Sequence, residues 1–158
     1  MCMKIFIGTD HAGFDTKEKL KVFLSNMGHE VVDKGAFSFD KDDDYPDFIT
    51  PVAEGVATSA GSFGVILGGS GQGEAMCANR VRGARAALYY GATAKSQTDM
   101  SGNVLDMISS TRAHNNANIL SLGMRFLTLE EAQNAIKTFI ETPFSGDERH
   151  VRRINKLN

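Results

Sequence analysis

The 158-residue sequence predicts an α/β fold, in which a parallel sheet is covered by helices on both faces. Two observations carry this prediction. Five short apolar runs alternate with longer stretches whose apolar residues recur at helical spacing. The third run ends at Leu67 and leads into a glycine-rich turn and then a helical stretch, as a buried strand leads into a crossover helix. No repeat or low-complexity segment interrupts the pattern, so one domain over residues 1–158 is expected.

The individual elements follow from local patterns. The apolar runs predict strands at 4–9, 31–32, 65–67, 84–89 and 118–122. Apolar stripes on one face predict helices at 20–27, 49–57, 75–80 and 132–140, and a basic helix is expected at 147–157. Gly28 is placed to end the first helix, and Thr128 with Glu131 forms a capping-box signature. Residues 91–110 show little periodicity and receive no assignment.

Composition limits the classes of function. A hydrophobic content of 42% is ordinary for a soluble globular protein, and a net charge of −2 gives no reason to expect a nucleic acid or a membrane as partner. The two cysteines, Cys2 and Cys77, form no disulfide framework and favour a reducing compartment. The N-terminus does not read as a signal peptide, and no apolar run reaches the length of a membrane span. We therefore expect a cytoplasmic protein.

The chemistry is expected at the turn Gly68-Gly69-Ser70-Gly71-Gln72-Gly73-Glu74, which follows the third predicted strand. Its glycines let backbone N–H groups converge, so the turn can hold negative charge, either on a phosphate or on a reaction intermediate. The spacing of a dinucleotide-binding loop fails, because Glu74 or Met76 stands where the third glycine is required. The G-x-S-x-G pattern of hydrolases fails at Gln72.

Residues 38–45 form a loop that contains four aspartates. Asp40, Asp42 and Asp44 begin like a calcium-binding loop. Tyr45 and Pro51 then stand where that loop needs a glycine and a bidentate glutamate. We therefore predict a solvated acidic loop here.

Several polar residues are candidates for catalysis. Glu74 is either a general base or a first-turn glutamate that favours the helix start, and Ser70 is either a functional hydroxyl or a turn residue. Asp10 and His11 follow the first strand, at the edge where parallel sheets bind ligands, although Asp10 could be only a cap. His114 precedes the fifth strand and belongs either to the site or to a plain turn.

A second set of residues suggests a phosphate site. Arg149 and Arg153 are neighbours on the predicted last helix, His150 lies between them, and Arg125 is placed to join them. Guanidinium groups bind phosphate oxygens in pairs, although a solvated basic face is the alternative. A phosphate anchor, a carboxylate base and N–H donors together suit proton abstraction next to a carbonyl. The isomerisation of an aldose phosphate to a ketose phosphate is the simplest such reaction, and it needs no redox cofactor.

The sequence resembles a known family, the type B ribose-5-phosphate isomerases with their galactose-6-phosphate isomerase relatives. The resemblance spans nearly the whole chain. It rests on Gly8-x-Asp10-His11-Ala12-Gly13-Phe14, Asp33-Lys34-Gly35, Asp44-Tyr45-Pro46, Gly68 to Glu74, Ala78-Asn79-Arg80, Arg112-x-His114-Asn115-Asn116, Gly123-x-Arg125 and Arg149-His150-x-x-Arg153. So many matches in the same order make a specific signal.

The resemblance implies a three-layer α/β/α Rossmann-like sandwich with a five-stranded parallel sheet. It also implies a homodimer, or a dimer of dimers, with active sites between subunits and without a metal or a cofactor. Glu74 would then be the base, because many relatives carry a cysteine where this chain has Gly68 and others pair that glycine with a glutamate. The base would move a proton between C2 and C1 of the sugar through a cis-enediolate.

Other roles carry over in the same way. His114 or Asp10 would help to open the furanose ring, Ser70 would handle a hydroxyl proton, and the N–H groups of residues 69–73 would stabilise the enediolate. The residues expected to bind substrate or its phosphate are His11, Tyr45, Gly69, Gly71, Gly73, Asn115, Arg125, Arg149, His150 and Arg153. Residues 91–112 form a longer segment than is usual before the His-Asn pair, which puts the substrate in question. Ribose 5-phosphate is the leading substrate. The alternatives are a six-carbon sugar phosphate, such as galactose or allose 6-phosphate, or a sugar-phosphate-binding domain without activity.

Overall fold

A five-stranded parallel sheet forms the centre of the computed structural model, which describes residues 2–157. The strands are β1 Lys4–Thr9, β2 Glu30–Asp33, β3 Phe63–Gly68, β4 Ala86–Tyr89, β5 Gln97–Thr98, β6 Val104–Leu105 and β7 Ile119–Gly123. The helices are α1 Phe14–Asn26, α2 Pro46–Thr58, α3 Gln72–Ala78, α4 Met107–Asn115, α5 Leu129–Glu141 and α6 Glu148–Ile154. Strands β5 and β6 form a separate antiparallel hairpin.

The strand order of the main sheet is β2-β1-β3-β7-β4. All neighbouring strands are parallel, and the register pairs Thr9 with Leu67 and Gly68 with Gly123. The carboxyl ends of β1, β3 and β7 therefore lie side by side. The predicted α/β fold with a five-stranded parallel sheet is confirmed.

Helices cover both faces of this sheet, so the central strands are apolar on both sides. On one face Ile5 and Ile7 pack with Leu20 and Leu24 of α1 and with the apolar stripe of α5. On the other face Phe6 and its neighbours pack against α2 and α3. This arrangement gives the three layers that the resemblance implied. None of the helices within residues 2–157 is both long and apolar enough to cross a bilayer.

The predicted elements are present with small shifts at their ends. The capping box of Thr128 and Glu131 is formed at the start of α5, and Gly28 has a positive φ of 85° just after α1. The fourth predicted strand begins at Ala86 instead of residue 84. The predicted basic helix 147–157 is shorter than expected, since α6 covers Glu148–Ile154.

Helix α4 lies in the region that received no complete assignment. Its N-cap Asp106 accepts a hydrogen bond from the backbone of Ser109, and Asn116 ends it in the left-handed conformation. Only Ile108 and Arg112 are buried along it, so no apolar stripe marks it in the sequence. The guanidinium of Arg112 lies over the ring of Phe63, with its carbon 4.8 Å from the ring centroid, and fixes the end of α4 against the sheet.

Candidate active site

The glycine turn between β3 and α3 forms the floor of the candidate site. Gly71 has a φ of 75°, a left-handed conformation that glycine adopts without cost. The hydroxyl of Ser121 on β7 donates to the carbonyl of Gly71 over 2.6 Å, which holds the turn against the sheet. The N–H groups of Gly69 and Ser70 donate to no acceptor within residues 2–157. Two backbone donors are therefore available at this turn.

The carboxyl group of Glu74 fills the space that a side chain at Gly68 would occupy. A Cβ atom built on Gly68 would lie 1.9 Å from Oε1 of Glu74 and 2.0 Å from its carboxyl carbon. Glycine is therefore required at the end of β3 for the glutamate to reach back from α3. Glu74 is only 4% exposed, so its carboxyl group is held at the turn rather than in solvent.

Burial raises the pKa of Glu74 above the usual value for a glutamate. The negative charge of Asp10 adds to this increase, while the backbone N–H groups of Glu74 and Gly71 and the charge of Arg125 oppose it. A carboxylate with a raised pKa accepts a proton more readily, which suits a general base. Position and pKa therefore favour the base over a glutamate that only stabilises the helix start.

Asp10 and His11 lie beside this turn, at the carboxyl end of β1. Asp10 is 7% exposed and caps a short 3₁₀ turn by accepting from the backbone N–H of Ala12. Nδ1 of His11 lies 2.7 Å from Oδ1 of Asp43, and the same oxygen accepts from the backbone N–H of His11 over 3.0 Å. One carboxylate therefore fixes both the backbone and the ring of His11.

The sequence predicts a solvated acidic loop, but one aspartate of this loop is largely buried. The side chain of Asp43 is 8% exposed, and its Oδ2 is buried without a hydrogen-bond partner. Its hydrogen bond raises the pKa of His11 above the usual value for a histidine, with a further contribution from the charge of Asp10. A histidine whose charged form is favoured in this way suits an anionic group of a ligand. Asp43 is a site residue that the sequence reasoning missed.

Three further predicted residues line the same turn. The guanidinium carbon of Arg125 would lie 3.0 Å from a Cβ atom on Gly69, so it stacks on the backbone there. The ring of Tyr45 approaches Gly73 in the same way, with its hydroxyl oxygen 2.9 Å from a Cβ position. The hydroxyl of Ser70 accepts a weak hydrogen bond from the N–H of Gln72, 3.2 Å away, and the residue is partly exposed. We call this set (Asp10, His11, Asp43, Tyr45, residues 68–74 and Arg125) the Glu74 group.

The remaining predicted residues form a second set on α4 and α6. The rings of His114 and His150 stack with their centroids 4.5 Å apart. Nδ1 of His150 lies 2.7 Å from the hydroxyl oxygen of Ser145, and Arg149 contacts Asp147 at 3.3 Å. We call this set (Asp99, His114, Asn115, Ser145, Asp147, Arg149, His150 and Arg153) the histidine group.

His150 has properties that argue against direct binding of a phosphate. It is 4% exposed, and burial lowers its pKa, with further lowering from the neighbouring His114 and Arg149. A buried ring whose charged form is disfavoured suits a packing surface for His114 better than an anion ligand. Arg149 keeps a buried Nε without a partner, and Arg153 is exposed, so these two guanidiniums remain the candidates for phosphate binding on α6.

The two groups lie at opposite edges of the sheet. The residues of the Glu74 group lie at the carboxyl ends of β1, β3 and β7. Helix α4, in contrast, ends just before β7 begins at Ile119. The length of β7, at about 3.3 Å for each residue, separates these edges by about 15 Å. The predicted convergence of Arg125 with Arg149, His150 and Arg153 therefore does not occur within one chain. Arg125 belongs to the Glu74 group because it follows the carboxyl end of β7.

One set of side chains within residues 2–157 could hold a metal ion, namely Asp10, His11 and Asp43, whose ligand atoms lie within 4.8 Å of one another. One oxygen of each carboxylate is already engaged, since Oδ1 of Asp10 accepts from the N–H of Ala12 and Oδ1 of Asp43 lies against Nδ1 of His11. The positive charge of Arg125 also acts on His11, which favours an anion here over a cation. The arrangement suits proton transfer next to a carbonyl, with a base, N–H donors and cations around one turn.

Comparisons with known proteins show which proteins this chain resembles. Residues 5–157 match the family model described as Ribose/Galactose Isomerase. The ribose-5-phosphate isomerase B of Mycobacterium tuberculosis strain H37Rv is 39% identical over 155 residues, which cover 98% of this chain and 88% of that protein. The crystal structure of ribose-5-phosphate isomerase B from Mycoplasma genitalium with bound ribulose-5-phosphate matches with a TM-score of 0.84 at 36% identity, covering 98% of this chain and 93% of that chain. The ribose 5-phosphate isomerase structure from Thermotoga maritima matches with a TM-score of 0.82 at 41% identity, covering 98% and 97%.

Proposed function

The chain belongs to the ribose/galactose isomerase family, and from that premise we propose that it interconverts ribose 5-phosphate and ribulose 5-phosphate with the carboxylate of Glu74 as the base. The observation that carries the proposal is the position of this carboxyl group. It is buried in the side-chain space of Gly68, next to a turn with free N–H donors. The chain is thus an aldose–ketose isomerase that acts on a sugar phosphate.

The reaction moves two protons, one from C2 to C1 and one from the C2 hydroxyl to the oxygen on C1, and leaves the number of electrons unchanged. The Glu74 carboxylate takes the proton from C2 of the open-chain aldose, and the C2–H electron pair forms the cis-enediolate. The N–H groups of Gly69 and Ser70 are placed to donate to the negative oxygen, which lowers the energy of the transition state. The proton of the C2 hydroxyl passes to the oxygen on C1, and Glu74 returns the carbon-bound proton to C1, which gives the ketose.

The substrate's phosphate has two sources of positive charge in this proposal. His11 and Arg125 lie in the Glu74 group, while Arg149 and Arg153 of the same chain lie at the opposite edge of the sheet. A homodimer, or a dimer of dimers, brings the two sets of cations together, because the histidine group of one copy can face the Glu74 group of another. Each site would then contain residues from two subunits.

The remaining residues take roles at the sugar. His114 protonates the ring oxygen when the furanose opens, and Asp10 takes the proton of the C1 hydroxyl. Ser70 exchanges a hydroxyl proton during the transfer, and Asn115 and Tyr45 bind sugar hydroxyls. No metal or cofactor has a part in this scheme. Both cysteines are free, which fits a cytoplasmic setting.

The test is the Glu74→Gln variant, which keeps the shape of the side chain and removes the base. We expect turnover of ribose 5-phosphate to fall at least ~10²-fold, a typical contribution of a general base. Deuterium incorporation from D₂O into ribulose 5-phosphate should fall to the same extent. Glu54→Gln, which changes an exposed glutamate on α2, is the matched control and should retain full activity. Near-normal turnover of Glu74→Gln would refute the assignment of the base.

One observation keeps a six-carbon substrate as a second candidate. The long segment before α4 forms the β5–β6 hairpin and lines a groove of about 380 Å³ together with Asn115. A changed groove beside a residue that binds sugar hydroxyls could admit a longer sugar. Values of kcat/KM for ribose 5-phosphate, galactose 6-phosphate and allose 6-phosphate, measured with EDTA present, decide between them.

A further inference from the structure

The hairpin segment carries a buried aspartate that contacts the ring of His114. Asp99 follows β5 directly, and its Oδ2 lies 3.6 Å from Nε2 of His114. We propose that Asp99 is a positioning residue, which fixes the ring of His114 and keeps its hydrogen on Nε2 when the sugar ring opens. This inference rests on the proposed function and assigns a role to the long segment before α4.

The carboxylate of Asp99 is held rigidly by its own loop. Oδ1 accepts from the backbone N–H groups of Ser101 and Asn103 over 2.8 and 2.9 Å. The side-chain amide of Asn103 donates to Oδ2 over 3.2 Å, and the Asp99 side chain is only 9% exposed. These hydrogen bonds lower the pKa of Asp99 to about 2, so the group is ionised at any working pH. The loop thus presents a fixed negative charge to α4.

The ring of His114 is enclosed by two elements. One face stacks on His150 of α6, and Nε2 faces Asp99 with no other protein partner. The distance of 3.6 Å is that of an ion pair and is longer than a hydrogen bond, so a small movement would close the contact. Nδ1 makes no hydrogen bond within residues 2–157 and is not among the buried unpaired atoms, which leaves it as the nitrogen that can reach a ligand.

This geometry separates the tasks of the two ring nitrogens. When the furanose opens, the C1–O4 bond breaks and O4 takes a proton from Nδ1 of the imidazolium, while Asp10 takes the proton of the C1 hydroxyl. Asp99 keeps the remaining hydrogen on Nε2, so Nδ1 is the atom that gives and regains a proton. A carboxylate that orients a catalytic histidine and stabilises its positive charge has the same effect in other enzymes.

The charged groups around His114 come from each element packed against it. Asp99 approaches from the hairpin, whereas His150, Arg149 and Arg153 belong to α6 and Asp147 precedes it. Among these groups, Asp99 is the carboxylate directly against the ring, since Asp147 contacts Arg149 and lies 3.8 Å from Nδ1 of His150. Neutralising Asp99 therefore removes the main negative charge that His114 faces.

The test compares Asp99→Asn with the matched control Asp106→Asn. An asparagine at 99 can keep the turn, because its amide oxygen still accepts from Ser101 and Asn103. Asp106 caps the other end of α4, and asparagine is an equally good N-cap, so this control makes the same charge change without touching His114. Two activities are measured: turnover of ribose 5-phosphate, and deuterium exchange at C1 of ribulose 5-phosphate in D₂O. The second substrate is acyclic, because its O5 carries the phosphate, and so it needs no ring opening.

We expect Asp99→Asn to lower turnover of ribose 5-phosphate at least ~10-fold, as expected for a poorly placed general acid, with exchange into ribulose 5-phosphate kept within about twofold. Asp106→Asn should leave both unchanged. If both activities of Asp99→Asn stay normal, or if both fall together, the inference is wrong, since the second result means only a structural role. If the wild-type protein isomerises neither substrate, the proposed function itself fails.

Discussion

Placing a methyl group at position 68 tests whether Glu74 must reach into the space of Gly68. In Gly68→Ala the new Cβ would lie 1.9 Å from Oε1 of Glu74, whereas ordinary contacts begin at 3.4 Å. The carboxyl group must therefore move by about 1.5 Å, and misplacement of a catalytic group by 1 Å can lower a rate by about 10²-fold. We expect kcat for ribose 5-phosphate to fall by about that factor.

The Michaelis constant distinguishes this loss from a damaged binding site. The cations expected to bind the phosphate, such as His11, do not contact position 68, so KM should change by less than about threefold. Gly68→Ala should also lower the free energy of unfolding by about 1–3 kcal/mol, the usual cost of overpacking a well-packed site. Both quantities come from steady-state kinetics and urea titration.

A double variant separates the overlap from other effects of the methyl group. Gly68→Ala combined with Glu74→Ala removes the overlap, so most of the lost stability should return while activity stays low. The two substitutions should therefore be non-additive in stability, as expected for groups in direct contact. Activity of Gly68→Ala within threefold of the wild type would refute the reasoning, because the carboxyl group could then act from another position.

Four further predictions concern other parts of the site and fold. The kcat/KM of isomerisation should rise with pH through the raised pKa of Glu74, because only the ionised carboxylate accepts the proton. The raised pKa means that folding favours the protonated form, so the stability of the wild type relative to Glu74→Gln should fall as pH rises through that pKa in urea titrations between pH 4 and 8. Asp43→Asn should raise KM for ribose 5-phosphate more at pH 8 than at pH 6, with kcat little changed, because His11 loses the hydrogen bond that raises its pKa. An equal rise in KM at both pH values would contradict this. Lys17→Ala should lower the free energy of unfolding by about 3 kcal/mol, since it breaks a buried ion pair, whereas the more exposed Lys21→Ala should cost less than about 1 kcal/mol.

The sheet and its covering helices could be predicted because their signals are local. Each buried strand is a short apolar run, and α5 combines a capping box with a clear apolar stripe. Helix α4 and the hairpin could not be predicted in the same way. Only two residues of α4 are buried, and the hairpin strands have two residues each, too few to show a period. The aspartate at 106 and the asparagine at 116 were the available signals for the ends of α4.

The residues of the candidate site likewise differ in whether a local signal in the sequence marks them. Glu74 and its turn are close in sequence, so composition and spacing could identify them together. Asp43 contacts His11 across 32 residues, and the contact of Asp99 with His114 depends on how an unpredicted hairpin folds against an unpredicted helix. The separation of Arg125 from Arg149 follows from strand direction, which helical spacing alone does not reveal. Long-range contacts of polar residues have no period in the sequence, and only the folded chain shows them.

In the proposed homodimer, the division of the predicted site between the two ends of the parallel strands determines how defects combine when two mutant chains are mixed. Glu74→Gln damages one edge and His114→Gln the other, so each homogeneous preparation has only crippled sites. In a hybrid pair, one site inherits both lesions and the other inherits neither. Random exchange of subunits would then restore about a quarter of the normal number of intact sites. With sites shared in the proposed dimer, two inactive alleles of this gene would complement each other in one cell, an outcome that a protein with self-contained sites cannot produce.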